Sequence, residues 1–149
     1  MKVFIKKTGL LITLFVFFTS NFILGQTLET TPAKELEENS AVAVIEQVRL
    51  QLQDKANWNK ASTFEEVCDV EAEEQSLRCA IRKAQIEHTG KYEHRNVLMR
   101  TIRREIGRHF FGRQGMHPID GFNKHSKTSH EDILFLLDAV KEQLIKKGG

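Results

Sequence analysis

The sequence predicts an all-α protein, a small irregular bundle of about four main helices. Three observations carry that prediction. Apolar residues recur at three- and four-residue spacing in separate stretches, two Thr-x-x-Glu patterns have the form of capping boxes, and Gly-bearing segments punctuate the stretches between them.

The first helix is predicted over Ser40–Ala56. Ser40 is a suitable N-cap, and Ala41, Ile45, Val48 and Leu52 recur on one side with Glu46, Gln47, Gln51 and Gln53 on another. Trp58, the sole tryptophan, follows in a polar turn, where an indole most often plugs a core. Thr63-Phe64-Glu65-Glu66 is the first capping pattern and starts a helix or helical turn.

A second helix is predicted over Ser76–His88. Leu77, Ala80, Ile81, Ala84 and His88 fall on one side while Cys79 and Ile86 fall nearly opposite, so this helix is expected at the centre of the bundle. Gly90 closes it. A third helix, Glu93–Phe111, buries Leu98, Ile102, Ile106 and Phe110 and carries Arg100, Arg104 and Arg108 on its far side.

Residues 112–127 hold Gly112, Gly115, Pro118 and Gly121 and read as a long loop. Within it Ile119 and Phe122 are placed to anchor the segment on the core, leaving Asn123 to bond backbone near the next helix start. That start is the second capping pattern, Thr128-Ser129-His130-Glu131. The last helix, Ser129–Lys146, buries Ile133, Leu137, Val140 and Leu144, while Phe135 lies opposite the stripe and marks either a packed element or a contact surface.

Lys2, Lys6 and Lys7, the apolar run Leu10–Phe18 and the segment ending at Gly25 have the three parts of a secretory signal peptide. The expected organisation is a signal peptide at 1–25, a flexible acidic leader at 26–39 and one helical domain at 40–147, secreted or periplasmic. No later segment approaches membrane-spanning length. Two cysteines, Cys68 and Cys79, in an exported chain favour a disulfide. A continuous helix would hold their Cα atoms roughly 16 Å apart at about 1.5 Å per residue. The bond therefore requires a break in helix between them.

Charge divides by halves. Between Glu29 and Glu74 twelve acidic residues face four basic ones, and between Arg78 and Lys147 fifteen basic residues face eight acidic ones. One half can dock on the other, or the basic half can meet an anionic surface. The row Arg100, Arg104 and Arg108 is the candidate polyanion-binding face. Export removes the usual nucleic-acid partners, which leaves another protein or an anionic surface.

Four of the six histidines, His109, His117, His125 and His130, lie in or around the long loop. None forms a close helical pair of the kind that makes a metal site persuasive, so no metal and no cofactor is assigned. No serine sits in a strand-turn-helix motif, and no Gly-rich phosphate cradle is present. The reading that follows is a non-enzymatic binding module. A small metal-dependent or hydrolytic enzyme is the alternative, and it requires Asp120, Asn123, His125 and His130 to converge with residues 112–130 as the wall.

Three short stretches, Asn57-Trp58, Cys79-Ala80-Ile81 and Phe122-Asn123-Lys124 followed by Thr128 and the helix from Glu131, together resemble a family of small bacterial and phage domains of unassigned function. That family has a Gly-Trp turn, a Cys-Leu-x-Gly-Ala helix and a closing Trp-Asn-Asp, Thr, Glu-Val pattern. Here Asn57 replaces the glycine, the central motif lacks its glycine, and Phe122 and Lys124 replace Trp and Asp. The resemblance covers most of Ser40–Leu144. It implies an all-helical fold and no particular activity.

Overall fold

The computed structural model of the chain describes residues 32–61, 68–69 and 71–148. The expected signal peptide and the Thr63 capping pattern lie outside the described residues. Within them the protein is all-α, with helices α1 (Pro32–Gln51), α2 (Leu77–Thr89), α3 (Val97–His109), α4 (Pro118–Lys124) and α5 (His130–Gly148), and a 3-10 turn at Lys55–Asn57.

Helix α1 starts eight residues before Ser40, with Pro32 at its first position, where the missing N–H costs nothing. It also stops short of the predicted Ala56. The Asn57 amide donates to the Gln51 carbonyl (3.2 Å), His130 bonds the Leu52 carbonyl (2.7 Å), and Asp54 caps the 3-10 turn through the Ala56 amide (2.9 Å). Side chains thus take the carbonyls that a longer helix would have used.

The predicted stripes are buried: Ala41, Ile45, Val48 and Leu52 in α1, Leu98, Ile102 and Ile106 in α3 with Phe110 at its cap, and Ile133, Leu137, Val140 and Leu144 in α5. Helix α1, rather than α2, occupies the middle and packs on α5, α2 and α3. Helix α2 buries Leu77, Ala80, Ile81 and Ala84, but His88 and Ile86 are exposed in its last turns. The second apolar side is explained by covalent chemistry. Cys79 is bonded to Cys68, with a Cα–Cα distance of 5.2 Å, and Cys68 lies in the irregular segment before α2, as the bond requires.

Caps fix the helix boundaries. Ser76 Oγ accepts from the Cys79 amide (3.2 Å), and Gly90 closes α2 in the left-handed conformation at φ 74°. Asn96 caps α3 through the Met99 amide (2.9 Å), which delays its start from Glu93 to Val97. The capping box of α5 lies one residue beyond its predicted register: Ser129 Oγ accepts from the Asp132 amide (3.2 Å) and Asp132 accepts from the Ser129 amide (3.0 Å).

The predicted loop 112–127 contains α4. Pro118 starts it, and buried Ile119, Asp120, Phe122 and Asn123 hold it down. Phe122 is fully buried against the Phe110 ring, centroids 4.6 Å apart. Gly121 is required by space, since a Cβ there would stand 1.8 Å from the Gln114 carbonyl oxygen.

Asn123 is the brace of the fold. Its Oδ1 accepts from the Trp58 indole (2.8 Å) and the Leu77 amide (3.1 Å), and its Nδ2 donates to the carbonyls of Asn59 (3.0 Å) and Lys60 (3.3 Å). Its partners differ from the expected backbone near Thr128. The Lys60 ammonium supplies that link, donating to the carbonyls of Thr128 (2.6 Å) and Ser126 (3.1 Å).

Asn123→Ala would strand the buried Leu77 amide and the half-buried Trp58 indole N–H and is expected to cost about 3 kcal/mol. Phe122→Ala, by opening a cavity, is expected to cost about 3 to 4 kcal/mol. Thermal and denaturant melts of the two single variants check this, and losses below roughly 0.5 kcal/mol would contradict the brace.

Candidate functional site

The residues singled out from the sequence disperse. Asn123 is consumed by the brace, and buried His130 bonds the Leu52 carbonyl through Nε2, which fixes the proton on that nitrogen because a carbonyl only accepts. His125 accepts from the Lys127 amide through Nδ1 (3.2 Å) at the turn before α5. Asp120, Asn123, His125 and His130 therefore do not assemble into the single pocket that the enzymatic alternative required. Among the described residues no group of three or more His, Cys, Asp or Glu side chains is placed to hold a metal ion.

The arginine row of α3 stands exposed but is partly engaged. Arg104 (3.1 Å), Arg108 (3.1 Å) and His109 (3.4 Å) surround the buried carboxylate of Glu105. Arg100 donates to the Arg95 carbonyl (2.7 Å). The burial of Glu105 makes it the point on which two of the three arginines converge.

Asp120 lies instead in a cleft between the start of α2, the turn after α2, α3 and α4. Its carboxylate pairs with Arg78 at 2.8 Å, both side chains being largely buried. Such a pair is held together by geometry, since losing either partner leaves an uncompensated buried charge. The cleft has a volume of about 150 Å³, and Tyr92, His94, Arg103 and His117 join Arg78 and Asp120 around it, with Met99, Pro118 and Ile119 supplying apolar wall. This is below the roughly 300 Å³ at which pockets take a drug-sized molecule. The space suits a small group.

Local structure aims these side chains. Arg78 projects from the first turn of α2, one residue after Leu77 is fixed by Asn123. The Arg103 guanidinium donates to the His94 carbonyl (3.0 Å), tying α3 to the preceding turn. The Tyr92 and His94 rings meet edge to face at 4.5 Å, and the Arg82 guanidinium stands 5.8 Å from the Tyr92 ring centre. Burial raises the Tyr92 phenol above its ordinary value. The charges of Arg78, Arg103 and Arg82 oppose that shift and the charge of Asp120 adds to it.

Three arginines thus act on one half-buried phenol, and one carboxylate offsets them. An anionic group entering the cleft would meet guanidinium donors and an aromatic flank. Sequence reading missed Arg78, His94 and Arg103 as site residues, because they lie on three different segments and share no spacing. His117 was noticed, but only as one of the loop histidines.

The chain belongs to the family of unknown function DUF6197, whose sequence model matches residues 37–143, from α1 through most of α5. No curated protein and no solved structure matches it. The motifs behind the expected family resemblance meet in space: Trp58 bonds Asn123, and Asn123 bonds the amide two residues before Cys79. They form the frame beside the cleft rather than its lining.

Tyr92 is the sole tyrosine, so its ionisation can be followed by absorbance in the whole protein. The midpoint is expected above about 10 in the folded chain and at the ordinary value after denaturation. The folded state holds this proton more tightly. Its contribution to stability is therefore complete below about pH 10 and lost as pH rises through the folded pKa. A folded midpoint at or below the denatured one would contradict the partial burial of the phenol.

Proposed function

We propose that this protein is an exported, non-enzymatic binding module that recognises a small anionic group, a carboxylate or a phosphate, in the cleft between α2, α3 and α4. The single observation that carries the reading is the convergence of Arg78 and Arg103 on an opening flanked by Tyr92 and walled by Met99 and Ile119. Guanidinium groups match carboxylate and phosphate oxygens with directed donors, and partial desolvation strengthens each contact. The small volume selects a terminal group, so the remainder of the ligand would lie outside the cleft.

The disulfide supports export, since such bonds persist in oxidising compartments. The charged and apolar start of the chain supports it independently. On this reading residues 1–25 are removed, 26–39 lead into the domain, and the secreted or periplasmic product begins near Gln26. Among the described residues no helix is long and apolar enough to cross a membrane. Intact mass of exported material decides the start, and an uncleaved chain confined to the cytosol would refute export.

Binding is tested by calorimetry with benzoate and phenyl phosphate against benzyl alcohol as the neutral control. The anions are expected to bind and the alcohol not. Arg103→Ala should weaken anion binding about tenfold, equivalent to about 1.4 kcal/mol, with little change in melting temperature because Arg103 is only half-buried. Equal affinity for anion and alcohol, or an unaltered Arg103→Ala variant, would overturn the assignment.

A further inference from the structure

Residues 111–117, which join α3 to α4, present two large apolar side chains almost wholly to solvent. Phe111 is 89% exposed and Met116 is 91% exposed. Neither exposure comes from a loose connection. Arg113 stacks over the Phe110 ring at 5.3 Å, pairs with Asp132 of α5 at 2.8 Å and donates to the Lys127 carbonyl at 3.3 Å. Gln114 is lodged between α3 and α4: its carbonyl oxygen lies where a Cβ on Gly121 would be, and its side-chain nitrogen is 3.1 Å from where a Cβ on Gly107 would be. Gly112 and Gly115 take positive φ, 84° and 59°, turning the chain on either side of this anchor. The inner residues of the connection are pinned, and the apolar ones face outward.

The surroundings are basic. Between residues 104 and 127 the basic residues are Arg104, Arg108, Arg113, Lys124 and Lys127, and the acids are Glu105 and Asp120. Both acids are buried and paired with arginines. Lys124 and Lys127 are exposed, and the nearby carboxylate of Asp132 is taken by Arg113. Arg113 reaches the Lys127 backbone and Gln114 abuts Gly121 of α4, so the exposed Lys124 and Lys127 form a positive collar on the α4 side of the two apolar tips.

We infer that this connection is a membrane-docking wedge that seats Phe111 and Met116 at the surface of a bilayer containing anionic phospholipid. Apolar side chains at the boundary of the acyl region and lysines at the headgroups are the two contributions such binding needs. A fluid apolar phase accepts convex tips without a shaped groove, and its negative headgroups complement the collar. A second copy meeting the same face would bring like charges together, which disfavours self-association there. The inference rests on observations separate from the cleft and does not depend on what that cleft binds.

The test uses the full chain with vesicles of phosphatidylcholine alone or with about one-third phosphatidylglycerol. The N-terminal apolar run can itself meet lipid, so site-specific readouts are needed. Phe111→Trp should be quenched by lipids brominated on the acyl chain in anionic vesicles, relative to the parent protein with Trp58 alone. Affinity for anionic vesicles should fall about tenfold or more in the Phe111→Ser/Met116→Ser variant and in Lys124→Ser/Lys127→Ser, with melting temperatures unchanged, and should decline with added salt. Absence of Phe111→Trp quenching, or serine variants that bind as the parent does, would overturn the wedge. So would self-association or capture of an acidic protein through Phe111 and Met116 without vesicle binding.

Discussion

The carboxamide of Asn123 has two lone-pair positions and two N–H groups, and all four are used inside the protein. One end holds the Trp58 indole and the first amide of α2, and the other holds the backbone of Asn59 and Lys60. A single side chain on a seven-residue helix thereby joins three segments distant in sequence. Its burial is affordable because no polar atom of it is left unpaired. Phe122, beside it, drives α4 onto the core, and Gly121 lets the preceding connection approach the helix backbone.

Other features extend the same constraint. Trp58 and Gln75 form a parallel bridge, with the Asn59 amide on the Gln75 carbonyl (3.0 Å) and the Gln75 amide on the Asn57 carbonyl (2.8 Å). The buried Gln75 side chain donates to the carbonyls of Asp69 and Ala72, wrapping the irregular segment around itself. The disulfide then ties Cys68 to α2, worth about 3 kcal/mol in a chain-entropy account of so short a loop. Lys60 carries the brace onward to the turn before α5. Because Leu77 is fixed from one side and Asp120 is carried on α4 from another, the Arg78–Asp120 pair of the cleft inherits its position from Asn123.

The helices were legible wherever burial is periodic. The stripes of α1, α3 and α5 read directly because each presents one face to a shared core, and Gly90 marked the end of α2 because a left-handed residue was needed there. Helix α4 was hidden because seven residues with two glycine and proline signals among them look like loop, although the anchoring roles of Ile119 and Phe122 were visible in the pattern. Asn123 was read as architectural, but its partners lie some 46 to 65 residues away and leave no local trace. The same applies to the cleft. Arg78, Tyr92 and Arg103 meet only after three helices have packed, so sequence spacing favoured the regular arginine row of α3 instead.

The central claim is that the Trp58 indole is locked to Asn123 whenever the protein is folded. Trp58 is the only tryptophan, so its indole N–H gives one unambiguous nuclear magnetic resonance signal. Hydrogen exchange of that proton should be as slow as that of the Leu77 amide, which shares the same acceptor, and both should open only with global unfolding. An indole that exchanges like an exposed tryptophan while the core amides of α1 and α5 stay protected would contradict the account.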